Sequence, residues 1–106
     1  EKGASPMELI LLGLGGCASY DVVEILKKSR QEVQDVRCEL TAQRAETIPA
    51  VYTAIHMHFA VTGKDIADKQ VEKAIKLSAE KYCSASRMLV QGGVDITHDF
   101  EIIETV

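Results

Sequence analysis

"MELILLGLGGCASYDVVEIL", residues 7–26, admits two incompatible readings. In one, a buried strand runs into a glycine turn, and Gly13, Gly15 and Ala18 fit the dinucleotide-binding pattern G-x-G-x-x-A. In the other, the stretch is one continuous helix with Cys17 in its middle. The residues just upstream favour the helix. Ser5 suits an N-cap, Pro6 falls at the first helical position, and Glu8 completes a capping box. Lys27, Lys28 and Arg30 suit the negative end of the helix dipole. The dinucleotide reading also needs a parallel βαβ unit and an acid about 20 residues further on. Glu39 lies near that distance, but on the solvent side of a strand within an apparent hairpin.

As a helix, the first half is apolar on nearly every face and is expected to be buried all round. Gly13, Gly15 and Gly16 then destabilise it by about 0.8–1 kcal/mol each relative to Ala. A closely approaching backbone would offset that. A dimer whose glycine face meets a partner copy is therefore expected.

Two alternating segments follow. In "DVRCELTAQRAE" (35–46), Val36, Cys38, Leu40 and Ala42 share one face, and Arg37, Glu39, Thr41 and Gln43 the other. In "AVYTAIHMHFAVTG" (50–63), Val51, Thr53, Ile55, Met57, Phe59 and Val61 share a face. A short link containing Pro49 makes them an antiparallel pair. "DIADKQVEKAIKLSAEKY" (65–82) reads as an amphipathic helix capped by Asp65. Its apolar face is Ile66, Val71, Ala74, Ile75 and Ala79, with Leu77 at the edge. "CSASRMLVQGG" (83–93) reads as a short helix ended by Gly92 and Gly93, and "VDITHDFEII" (94–103) as a last strand. The expected order is α-β-β-α-short α-β.

A chain of 106 residues makes one domain. A net charge of −4 offers nothing to a nucleic acid backbone or an anionic membrane. The apolar run 9–19 is about half of what spans a bilayer. No basic-then-apolar leader precedes it, so no secretory signal is expected. The first residue is Glu1 rather than Met, so further residues upstream are expected. Three cysteines without a C-x-x-C suit a reduced, cytoplasmic setting better than a disulfide framework.

Cys17 lies too far from the N-cap for the helix dipole to activate it. As a nucleophile it would need a nearby cation or donor; otherwise it is a small buried hydrophobe. Cys83 precedes Ser84, a candidate cap for the short helix that carries Arg87, and a cysteine there is better placed for thiolate character. Cys38 faces the core side of its strand. His56 and His58 share a strand face, as an H-x-H zinc pair would, but His98 and Asp99 are the only spare ligands and no spacing ties them to the pair. A partly solvated polar face is the simpler assignment. No metal and no cofactor is expected.

"SPMELILLGLGGCASYDVVEILKK" (5–28), an antiparallel pair ending "IHMHFAVTG", an amphipathic helix, then "KYCSASRML" (81–89) and a final strand together resemble the OsmC/Ohr family over essentially the whole chain. The resemblance implies a single α+β domain of OsmC-like fold. In it, antiparallel sheets wrap around two long central helices of a homodimer. It implies thiol-dependent reduction of hydroperoxides, preferably organic ones, in oxidative-stress defence. Cys17 would be the peroxidatic thiolate and Cys83 the resolving cysteine, joined in a Cys17–Cys83 disulfide. A dithiol reductant, lipoyl-protein-linked or thioredoxin-like, would restore the pair.

The chain departs from the family's peroxidases in two respects. Met7 stands where their glutamate follows the motif's Pro, and Glu8 points about 100° away around the helix. Their activating arginine comes from an N-terminal strand, and no counterpart to it is expected within residues 1–106. Arg87 is the candidate substitute cation. These departures bring the chain closer to a less characterised OsmC-like branch. The alternatives are a non-catalytic dimer of the same fold binding a small hydrophobic ligand, or a purely structural dimer.

Overall fold

The computed structural model describes residues 5–105. The opening stretch is one helix, α1 (Pro6–Lys28). Its capping box forms as the sequence suggests: the Glu8 N–H donates to Ser5 Oγ at 3.2 Å, and the Ser5 N–H to Glu8 Oε1 at 2.9 Å. At the other end Arg30 adopts a left-handed conformation, φ 62°, just past the Ser29 cap. Strands β1 (Glu32–Arg44) and β2 (Tyr52–Lys64) follow. Next come α2 (Asp68–Leu77), a π-helical turn (Ser78–Tyr82), α3 (Ser84–Gln91) and β3 (Asp95–Glu104).

The sheet has the order β1-β2-β3. The β1–β2 pair is antiparallel, with Cys38 opposite Phe59 and Leu40 opposite Met57. β3 runs parallel to β2, so the sheet is mixed rather than wholly antiparallel. The physical reason is the connection. The α2–α3 segment carries the chain back along the sheet before β3 begins, and a helical crossover delivers a parallel strand. The inner face of the sheet holds Ile55, Met57, Phe59 and Val61, almost fully buried. Leu14, Ala18, Val22 and Leu26, four residues apart, form the row that α1 buries against this core. The Tyr52 hydroxyl donates to the Met7 carbonyl at 2.6 Å and ties the start of β2 to the first turn of α1.

Several local expectations shift. Val51 and Thr53 are exposed, and Tyr52 takes the buried place instead. An irregularity places Arg44 opposite Tyr52 and Gln43 opposite Ala54, so Thr53 is the extra residue of a bulge that flips the alternation. Asp65 does not cap the second helix. It sits in a left-handed bend, φ 53°, with its N–H on the Glu104 carboxylate at 3.0 Å, and Ala67 is the N-cap. The apolar pattern of 65–82 belongs to two pieces, α2 and the π-helical turn.

The helix α1 is not buried all round within one chain. By length and composition it could cross a bilayer, with mean hydropathy 1.7 over its best window. Its buried row instead packs on the sheet as a core helix does. The glycines divide accordingly. A Cβ on Gly15 would meet the Leu40 side chain at 2.8 Å, whereas Gly13 and Gly16 face open space. Leu9, Ile10, Leu12 and Tyr20 are exposed on that open side, at 41–67%.

Candidate thiol site

Helical spacing sets the site. Cys17 and Asp21 lie one turn apart on α1 and so share a face. The π-helical turn supplies the opposite wall. Its extra residue per turn rotates the chain so that buried Ser78 donates from Oγ to Asp21 Oδ2 at 3.2 Å. The Cys83 N–H donates to the Ser78 carbonyl at 2.7 Å. Cys83, not Ser84, is the N-cap of α3, and its Sγ accepts the Ser86 N–H at 3.4 Å.

The outcome is a compact cluster. Cys17 Sγ, Cys83 Sγ and an Asp21 carboxylate oxygen all lie within 4.8 Å of one another. All three cysteines are free thiols. Cys83 is fully buried, and Cys17 is only partly covered. Burial, above all, pushes the Cys83 thiol well above the usual range. The hydrogen bond with Cys17 and the charges of Cys17 and Asp21 push it the same way, and the Ser86 N–H pulls back. Cys83 is therefore a protonated thiol near neutral pH, and Cys17 is the sulfur that a reagent meets first.

Neither Glu8 nor Arg87 is among the groups of the cluster. Glu8 lies nine residues from Cys17, about 13 Å along the helix. Its carboxylate is spent on Ser5, whose N–H lowers its pKa. Arg87 is exposed and lines a separate cavity of about 570 Å³ with Glu72, Ile96 and Phe100. No cation is among the groups that shift Cys83. Sequence reasoning missed Asp21 and Ser78. Asp21 had a signal, its i+4 spacing from Cys17, whereas Ser78 depends on the π-helical turn and had none.

Cys38 sits where α1 meets β1, with Leu11 and Leu40 beside it. Burial pushes its thiol up to about 11. The histidines form a separate ladder on the outer face of the sheet. His58 donates from Nδ1 to Asp99 at 2.7 Å and from Nε2 to Glu101 at 2.9 Å. His56 Nε2 donates to the same Asp99 oxygen at 3.0 Å. His98 points inward toward Phe59, with ring centroids 6.4 Å apart. Parallel pairing is what brings Asp99 opposite His58.

A mid-helix thiol set against a helix-capping thiol, on an α+β frame with a mixed sheet, defines a dithiol protein class. The chain belongs to the OsmC-like protein family, whose sequence model matches residues 1–99. It is 48% identical over 103 residues to Protein YhfA of Escherichia coli K12, covering 97% of this chain and 76% of that one. It is similar to the crystal structure of a hypothetical protein from Aquifex aeolicus, with TM-score 0.91 and 39% identity over 100% of this chain and 79% of that one. An organic hydroperoxide resistance protein OsmC from Legionella pneumophila shares the fold at TM-score 0.74 and 19% identity, covering 95% and 72% of the two chains.

Proposed function

We propose that this protein is a cysteine-based redox protein that reduces organic hydroperoxides in a reduced, cytoplasmic setting. The observation that carries the reading is the Cys17–Cys83 pair, two free sulfurs within 4.8 Å on rigid elements. Cys17, as thiolate, attacks the distal peroxide oxygen. The O–O bond breaks, the alcohol leaves after taking a proton, and Cys17 becomes a sulfenic acid. Cys83 attacks that sulfur, forming the disulfide and releasing water. An external dithiol, lipoyl-linked or thioredoxin-like, returns two electrons and two protons by exchange. Membership of a family with named hydroperoxide resistance proteins supports the substrate class.

The working unit is a homodimer of single-domain subunits. The open face of α1 supports this: Leu9, Leu12, Gly13, Gly16 and Tyr20 make an apolar stripe with no Cβ at two close-approach positions. The partner's α1 would supply the second central helix.

One observation favours a second reading. The charged group clustered with the thiols is Asp21, an anion, and an anion opposes thiolate formation. A binding dimer with slow thiols fits that charge. Mixing reduced protein with an organic hydroperoxide separates the two. Loss of two thiols per chain, accelerated over free cysteine, supports the redox reading. Thiols that outlast the peroxide, with a hydrophobic ligand retained in native mass spectrometry, support the binding module.

A further inference from the structure

The cluster that looks poorly designed to hold a thiolate alone is well arranged to hold a metal ion. We propose that Cys17 Sγ, Cys83 Sγ and an Asp21 carboxylate oxygen are three ligands of a site for a thiophilic divalent cation, with Zn²⁺ the best match. Tetrahedral zinc, with Zn–S of about 2.3 Å and Zn–O of about 2.0–2.2 Å, places neighbouring ligand atoms about 3.5–3.8 Å apart. The three donor atoms here already lie within 4.8 Å of each other. Rotamer adjustments of a few tenths of an ångström to one ångström close that gap. Two thiolates and a carboxylate are the soft and borderline donors that zinc accepts. The fourth position is left for water.

The surroundings fit ligation too. Ser78 donates to Asp21 Oδ2, which orients the carboxylate and leaves its second oxygen for the ion. The Ser86 N–H fixes the Cys83 sulfur at the N-cap of α3. Cys17 and Asp21 are held one turn apart on a single helix. The ion supplies the positive charge that no neighbouring side chain contributes to Cys83. Coordination deprotonates a thiol outright, so binding the ion releases the proton of the buried Cys83 thiol. The site does not require the peroxide chemistry, but it shares its sulfurs. A chain oxidised to the Cys17–Cys83 disulfide has lost both thiolate ligands and cannot hold the ion.

The reduced chain is titrated with Co²⁺ under anaerobic conditions, then with competing Zn²⁺. One Co²⁺ per chain, bound with proton release and a thiolate-to-cobalt charge-transfer band that Zn²⁺ then bleaches, is the expected result. Asp21→Asn, which preserves shape, weakens binding. Ser78→Ala weakens it by about 10–100-fold, as loss of a ligand-orienting partner does. Cys83→Ala removes the band, with circular dichroism confirming the fold. His56→Gln/His58→Gln leaves it unchanged. Absence of the charge-transfer band, its survival at full affinity in Cys17→Ser, or its loss in the histidine variant overturns the site. Thiol loss with hydroperoxide is scored on the same sample. A chain that consumes peroxide but gives no cobalt band keeps the redox reading and loses this one.

Discussion

Two contacts of α1 each carry a thiol. Against β1 it packs Cys38, and against the π-helical turn and α3 it sets Cys17 facing Cys83. Burial raises the pKa of Cys38 and of Cys83 alike, so burial does not distinguish them. Their neighbours do. Cys38 shares a shallow pocket with Leu11, Leu12 and Leu40, with Glu8 at its edge, and among the described residues no second sulfur lines that pocket. Cys83 faces a second sulfur, a carboxylate and a backbone N–H. One helix thus packs an isolated thiol along one edge and carries the proposed dithiol site along another. The residues to watch are those with polar company.

The contrast can be broken most sharply by single cysteine changes. Cys17→Ser is expected to bring hydroperoxide-driven thiol loss down to the background rate of free thiols, whereas Cys38→Ala leaves it unchanged. Equal loss of activity in both, followed by thiol titration, would erase the distinction. The packing edge is probed by stability. Leu26→Ala, fully buried, is expected to cost about 2–5 kcal/mol in denaturant unfolding. Leu12→Ala, 63% exposed, should leave subunit packing intact and instead shift the mass toward monomer in light scattering.

Gly63 sharpens the same point. An added Cβ there runs into the Glu32 carbonyl and the Ile66 side chain. Gly63→Ala should destabilise by about 1–3 kcal/mol. Gly15→Ala meets only the movable end of Leu40, while gaining helix propensity. It should stay within about 1 kcal/mol of the parent.

The smallest effect comes from the outer ladder. Glu101, then Asp99, hold the His58 pKa above 6.5, and chiefly His58 holds the Asp99 pKa below 3.8. The raised His58 contributes stability that is complete below its unfolded pKa and fades as pH rises through the folded one. The depressed Asp99 contributes stability that is complete above its unfolded pKa and fades as pH falls through the folded one. The ladder therefore helps most between these limits, roughly pH 4 to 6. His58→Gln should flatten the thermal-melting profile over that window and change it little elsewhere. An unchanged profile would remove the ladder from the stability of the sheet.

Much of this was legible in the chain. Ser5, Pro6 and Glu8 announce the start of α1, and alternation announces both hairpin strands. The order of elements and the inward face of β1 follow from periodicity. What escaped prediction depends on contacts between distant residues. Nothing local says that β3 runs parallel to β2, so the tie between Asp99 and the histidines was invisible. The bulge at Thr53 is set by pairing with Arg44 across the hairpin, and the bend at Asp65 by Glu104, 39 residues further along the chain. The π-helical turn is the clearest case. Its residues carry an ordinary helical pattern, yet it turns Ser78 toward Asp21 and sets Cys83 as a cap.

The most direct test is peptide mapping after one equivalent of organic hydroperoxide, with free thiols blocked before digestion. A Cys17–Cys83 disulfide with Cys38 still blocked as a free thiol is the expected product. A disulfide involving Cys38, or a Cys17 that advances to sulfinic acid while Cys83 remains free, would contradict the pairing.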